Sequence, residues 1–357
     1  MSIIKKVKTA CNCIAKPIAS GVLPIKIQIE TVNNCNLRCI SCSRADAVRT
    51  PKIMAYENFV RIIDEIEPIY ITLSGLGENL LNPNLCRMIR HCTDKKIFVS
   101  SISNGVILDK YYAELCDAGL DLLSISLDAT DRQTYYNIRR FDVFDQVTHN
   151  VRLLTDYKKK YHLVKPKIRA SFCLQKNNIN QVSGFLSLCR QLGVDEAHFQ
   201  PLLLANVNER KSDLASMLTK DLLREKLTLA GEFGKTLGMA NNINEILDYL
   251  DMYWRQYEYK PGDVINKSIC LNPWYDAFID VEGNIKPCCN FSWRPQSGIM
   301  GNVINEGVVA CFNNKQYKWF RAAIKRGEKP FEECEACNPI DIRRIIRWAR
   351  NAIYNFF

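Results

Sequence analysis

Cys35, Cys39 and Cys42 are the residues whose spacing points most directly to chemistry. They stand as C-x3-C-x2-C in Thr31-Val-Asn-Asn-Cys-Asn-Leu-Arg-Cys-Ile-Ser-Cys42, just after the alternating run Ile25-Lys-Ile-Gln-Ile-Glu30. Alternation of this kind predicts a strand with one buried face. The three thiols then share one loop at a strand end. Three thiolates are a ligand set with one place missing: a cubane [4Fe-4S] cluster has four irons, so three cysteines leave one iron open to an outside ligand. A three-cysteine zinc site completed by another side chain is the alternative.

The following segments supply a scaffold for such a loop. Residues 57–67 carry Phe59, Ile62, Ile63 and Ile66 at helical spacing. A strand is expected over 69–73, ending in Ser74-Gly-Leu-Gly-Glu-Asn79, and a helix over 85–93. Further strands are expected over 97–103, 122–128, 167–174 and 196–203, with helices over 109–118, 144–160 and 178–192. Six such β/α units imply a parallel sheet covered by helices. Sheets of this type hold ligands at the C-terminal ends of their strands. The cysteine loop, the Gly-Leu-Gly-Glu loop and the Asn104-Gly105 turn all fall there.

Composition sets the outer bounds. The chain has 357 residues, a net charge of +10 and charged residues at 24%, as a globular protein does. No apolar run reaches membrane-span length. The first ten residues are basic without a long apolar stretch, so no secretory signal is expected. Sixteen cysteines without a signal favour thiols and metal in a reducing cytoplasm over disulfides. Cys11 and Cys13, Cys86, Cys92, Cys116, Cys189 and Cys311 read as ordinary or core thiols. Among the histidines only His198 falls on a strand near the site, and it reads as a bonded core residue.

With these motifs in order, the chain resembles the radical S-adenosylmethionine (SAM) enzymes. The resemblance implies a partial (β/α)6 barrel of the α/β class, and a cluster whose open iron takes the amino and carboxylate groups of SAM. Cleavage of SAM then yields a 5'-deoxyadenosyl radical that removes a hydrogen atom from the substrate. It further implies that Gly75, Gly77, Glu78 and Asn79 form the loop receiving the SAM amino group. Asn104 lies in the third-strand turn, while Ser126 and Arg139 would hold the carboxylate, beside Asp128 of the fourth-strand motif. Leu202, in Phe199-Gln-Pro-Leu202, would line the adenine pocket. Two positions depart from the family: Ser41 replaces the usual aromatic before the last cysteine, and Asn79 the usual proline.

The last ninety or so residues resemble the SPASM and shorter Twitch domains, which carry auxiliary clusters. Cys270, then Gly283-x4-Cys288, then Cys334-x2-Cys337 carry this likeness, with a hairpin expected over 277–286. No cysteine follows Cys337, which leaves four ligands, enough for one closed cubane; a structural zinc is the alternative. Cys289 could replace Cys288. The spacing is similar to that of the butirosin-pathway aminocyclitol dehydrogenase.

These likenesses predict two [4Fe-4S] clusters and SAM, served by an external electron donor such as flavodoxin or ferredoxin. The expected domains are 1–23 (basic helix), 24–205 (partial barrel), 206–265 (helical connection), 266–340 (small α+β Twitch-type iron-sulfur domain) and 341–357 (basic amphipathic helix). The expected activity is a radical SAM oxidoreductase acting on a sugar or aminocyclitol, with the auxiliary cluster taking an electron. Peptide modification, or redox-neutral epimerisation with Cys289 or Cys173 returning the hydrogen, are the alternatives. A nucleic-acid partner is not expected. The final helix, with Arg343, Arg344, Arg347 and Arg350, could touch a membrane surface.

Overall fold

The computed structural model describes residues 2–46, 50–202, 218–255, 269–294, 296–335 and 337. One eight-stranded sheet runs through it in the order β6-β5-β4-β3-β2-β1-β7-β8. The strands are β1 (Lys26–Ile29), β2 (Tyr70–Leu73), β3 (Phe98–Ser103), β4 (Leu122–Ser126), β5 (Lys167–Leu174), β6 (Glu196–Pro201), β7 (Asp276–Ile279) and β8 (Ile285–Lys286). The first six are parallel and pair in sequence order, as the six predicted β/α units require. The helices among them are α2 (Tyr56–Ile66), α3 (Leu85–Asp94), α4 (Tyr112–Asp117), α5 (Arg132–Arg139), α6 (Phe144–Lys160) and α7 (Val182–Leu192), and α1 (Ser2–Ala15) precedes the sheet.

The alternation of each strand separates two faces. Ile27, Ile29, Ile71, Leu73, Val99 and Leu123 join Phe59, Ile63, Met88 and Ile89 of the helices in one core. The other face is polar and aromatic. Tyr70 stacks on Phe98 at 5.0 Å and donates to Ser100 Oγ at 3.0 Å, and Ser124 Oγ lies 2.6 Å from Ser171 Oγ. A polar face on an internal parallel sheet is a place for a polar ligand, because such sheets ordinarily bury apolar side chains on both sides.

Three features differ from expectation. The expected helix over 109–118 divides into a short 3-10 turn, Leu108–Lys110, and α4. Helix α5 had no periodic signal; Asp131 starts it, accepting the Thr134 N–H at 2.8 Å as an N-cap. The C-terminal cysteine segment does not build a sheet of its own. Instead β7 pairs with β1 in parallel register, Lys26 to Asp276 through Ile29 to Ile279, and β8 turns back on it. The connecting region is helical at Lys220–Leu237, Ile243–Asp248 and Leu250–Trp254, while residues 203–217, 256–268 and the expected final helix lie outside the described residues. Among the described residues no helix is long and apolar enough to cross a membrane.

Glu30 joins the two halves. It is buried just past β1, accepts the Leu76 N–H at 2.9 Å through Oε1 and the Val281 N–H at 3.4 Å through Oε2. Replacing it by alanine strands two buried backbone donors, each costing roughly 1–3 kcal/mol. Glu30→Ala is therefore expected to lower unfolding free energy by about 3 kcal/mol, read as a reduced urea midpoint. An unchanged midpoint would show that the two halves do not depend on this carboxylate.

Candidate functional site

The cysteine loop is shaped by polar groups from three directions. Arg44 donates from Nη2 to the carbonyls of Cys35 and Leu37, each at 3.2 Å, and the Ile40 N–H donates to Ile138 of α5 at 2.9 Å. Each cysteine sulfur has an N–H near it: Asn104 Nδ2 at 3.8 Å from Cys35, Arg139 Nη1 at 3.5 Å from Cys39, and the Arg44 backbone N–H at 3.4 Å from Cys42. Donors aimed at sulfur favour the thiolate that a metal needs. Burial, with Glu78, Cys39 and Cys42 adding to it, pushes the Cys35 thiol up to about 11. Ligation must therefore displace a proton, as it does at metal sites generally. Among the described residues no three Cys, His, Asp or Glu side chains stand at metal-bonding distance.

The neighbouring loops sit very close to it. A Cβ on Gly77 would fall 2.0 Å from the Val32 carbonyl oxygen, and one on Gly75 2.4 Å from Glu30 Cγ. Only glycine lets the β2 loop lie against the cysteine loop in this way. Glu78 is buried and ties strand ends together, accepting from Ser103 Oγ at 2.8 Å, the Asn104 N–H at 2.7 Å and the Leu80 N–H at 3.1 Å. Asn104 also donates to Asn36 Oδ1 at 2.7 Å. Asn79 turns its amide inward, donating to the Leu73 carbonyl at 2.6 Å and that of Ile102 at 3.1 Å while accepting from Thr31 Oγ1 at 3.0 Å. Its side chain braces the loop, so a ligand there would meet the loop backbone.

Arg139 is buried and ion-paired with Asp128, whose other oxygen accepts the Cys173 N–H at 2.7 Å. Arg139 Nε is buried with no hydrogen-bond partner. A buried guanidinium with an unused donor beside a thiol loop fits an anionic group such as a carboxylate. Ser126 stands half-buried opposite Ser171 in the adjoining strand. Leu202 lies just past β6, buried, its N–H donating to the Leu174 carbonyl at 3.3 Å. Cys173 is half-buried opposite Gln200, on the same strand face as Ser171.

The second group of thiols faces one cavity. Cys270, Cys288, Cys334 and Cys337 line one cavity, together with Pro273, Phe291, Phe320 and Lys329. Asn290 Nδ2 donates to the Glu333 carbonyl at 2.8 Å, fastening the two cysteine-bearing segments to each other. Burial pushes Cys270 up to about 11, Cys334 to about 12, and Cys288 and Cys337 upward as well. Four thiols around an apolar cavity are a donor set that fits a closed iron-sulfur cluster. Cys289 is absent from that lining and exposed. Geometry thus favours Cys288 over its neighbour as the inward-facing thiol. Cys311 is buried in the helix Val308–Phe312, as ordinary core.

One pair escaped the sequence. Lys26 and Asp276 form an ion pair of 2.7 Å at the starts of β1 and β7, within electrostatic range of Cys289. Asp276 is 1% exposed, its Oδ1 has no partner, and burial raises its pKa while Lys26 opposes the rise. Oppositely charged residues in separate strands signal nothing until the register places them side by side.

Residues 29–165 match the Radical SAM superfamily, and residues 270–338 match SPASM, an iron-sulfur cluster-binding domain. The tungsten-containing aldehyde ferredoxin oxidoreductase cofactor-modifying protein of Pyrococcus furiosus is 21% identical, over 87% of this chain and 86% of that protein. The probable GTP 3',8-cyclase of Pyrococcus abyssi is 35% identical over 132 residues, which is 36% of this chain and less than half, 43%, of the cyclase. Streptococcus suis SuiB, solved with its precursor peptide SuiA, shares the fold at a TM-score of 0.65 and 15% identity, covering 88% of this chain and 70% of SuiB. A [4Fe-4S] cluster with SAM follows from the first matched domain and further iron-sulfur binding from the second. The chain is a radical SAM enzyme with a C-terminal SPASM domain.

Proposed function

We propose that this enzyme oxidises a polar small molecule, a sugar or aminocyclitol, by radical dehydrogenation. The observation that carries the proposal is the single cavity that Cys270, Cys288, Cys334 and Cys337 all line. That cavity lies before β7, which is paired in register with β1. In this reading Cys35, Cys39 and Cys42 hold the open cluster, and the backbone of Gly75, Gly77, Glu78 and Asn79 receives the amino group of SAM. Arg139, oriented by Asp128, takes the SAM carboxylate with Ser126; Asn104 supports the cysteine loop, and Leu202 borders the adenine. Held in these places, the two clusters and SAM would supply radical chemistry for removing a hydrogen atom from a substrate carbon, and an acceptor for the electron left behind.

The chain's own residues account for the rest. The polar sheet face between the two thiol groups, with Tyr70, Ser100 and Ser124, offers hydrogen bonds to hydroxyl groups. The hydroxyl proton would pass to solvent water as the carbon–oxygen bond becomes a carbonyl, because Asp276, buried beside Lys26 at the start of β7, lies a strand length from the end of β1. Hydrogen atom, proton and electron then each have a destination. An external one-electron donor such as flavodoxin or ferredoxin would reset the radical cluster.

A second reading rests on the exposure of Cys289 near Lys26. A thiol there, or at Cys173, could return a hydrogen atom and make the reaction a redox-neutral epimerisation. SuiB was solved with a precursor peptide, which keeps peptide substrates in the comparison.

Anaerobic incubation with SAM, reductant and candidate sugars or aminocyclitols is expected to give 5'-deoxyadenosine together with a ketone. A product carrying solvent deuterium at one carbon, with no ketone, would replace oxidation by epimerisation; 5'-deoxyadenosine with neither product would end the carbohydrate proposal. Reconstituted protein should hold about eight irons, and Cys270→Ala with Cys288→Ala should lose about four. Arg139→Gln should weaken SAM binding at least about tenfold in equilibrium dialysis, and unchanged affinity would remove Arg139 from the proposed site.

A further inference from the structure

Helix α1 is docked by its polar side. Lys5 Nζ donates to the carbonyls of Ile66 and Glu67 at 2.5 and 2.7 Å, covering the C-terminal end of α2. Thr9 and Cys13 are buried, and Asn12 donates to Ser20 Oγ at 2.9 Å. Just beyond, the Trp274 indole donates to the Pro17 carbonyl at 2.8 Å. The apolar residues point the other way: Ile4 is 69% exposed, Val7 56% and Ile14 69%, with Cys11 exposed between them. Positions 4, 7, 11 and 14 follow the three-and-four spacing of a single helix face, and Ile18, 47% exposed, continues it past the helix end.

An inverted helix of this kind leaves an apolar stripe that stays exposed among the described residues. Such a stripe on a surface helix marks an interaction face. Charge decides what the face fits. Lys6 and Lys8 are exposed on its two sides, and residues 1–29 contain no Asp or Glu. A second copy of α1 laid on the stripe would bring lysine against lysine. An anionic lipid surface meets both features, because its acyl region takes the isoleucines and valine while its headgroups take the lysines.

We propose that α1 is an interfacial anchor that seats this enzyme on anionic membrane, with the Ile4–Val7–Cys11–Ile14 face in the lipid. Lys5 and the Trp274 contact hold the helix to the body from behind. Because α1 rests on the C-terminal end of α2, the seated side is the one at the N-terminal ends of the strands, away from the Cys35 loop. The inference does not depend on the proposed oxidation.

The test is co-sedimentation of the full-length, cluster-loaded enzyme with phosphatidylserine–phosphatidylcholine vesicles and with phosphatidylcholine vesicles alone. Binding to the anionic vesicles, weakened by salt, is expected. The variant Ile4→Ser, Val7→Ser, Ile14→Ser should reduce the bound fraction at least about tenfold. Its melting temperature and iron content should stay unchanged, because the three side chains face solvent. No sedimentation with the anionic vesicles overturns the proposal. So does sedimentation that the triple variant retains. Concentration-dependent dimerisation in the absence of lipid, lost in the variant, also overturns it by making a second copy the occupant.

Discussion

The in-register pairing of β7 with β1 is the constraint on which the rest of the molecule depends. Both strands are parallel, so their ends are shared ends. The Cys35–Cys42 loop leaves the C-terminal end of β1, while Cys270 precedes the N-terminal end of β7. Four paired residues span about 13 Å, and the two cysteine-bearing segments attach at opposite ends of that paired length. Had the C-terminal segment formed its own sheet on a linker, nothing would fix this separation. Glu30 reinforces the pairing by holding Leu76 and Val281 from one buried carboxylate.

Buried charge is used sparingly and almost always with partners. Glu78 accepts three hydrogen bonds and so fastens the second and third strand ends into one unit. Asp128 holds Arg139 on one side and the Cys173 backbone on the other. Taking a carboxylate out of water is expensive unless its lone pairs are satisfied, so these acids report where the fold is most tightly specified. Buried atoms of charged side chains without a hydrogen-bond partner include Arg139 Nε beside the cysteine loop, Asp276 Oδ1 at the start of β7, and atoms of Arg169, Arg321 and Glu333.

Much of this was legible in the chain before folding. The six β/α units follow from hydrophobic periods of two and about three and a half, and the strands fell within two residues or so of their observed ends. The cysteine motif, the glycine loop and the Asn104-Gly105 turn were readable because each is local. Helix α5 was not, because its buried face, Tyr135, Ile138 and Arg139, is too short for a periodic signal and its start rests on one Asp131 cap. Asn79 was legible as an oddity but not as a brace, since its partners Leu73, Ile102 and Thr31 come from three separate strand ends.

The sequence by itself determined which atoms are present for chemistry: seven thiols in two spaced groups, two glycines where a backbone must come close, and an arginine after the fourth strand. It determined these because ligand spacing and turn chemistry are properties of neighbouring residues. The tertiary structure decided what they face. It turned Cys288 rather than Cys289 into the cavity, set Lys26 beside Asp276, and docked α1 with its lysine inward and its isoleucines outward. Those outcomes depend on register and on the packing of segments more than two hundred residues apart, which no local pattern encodes.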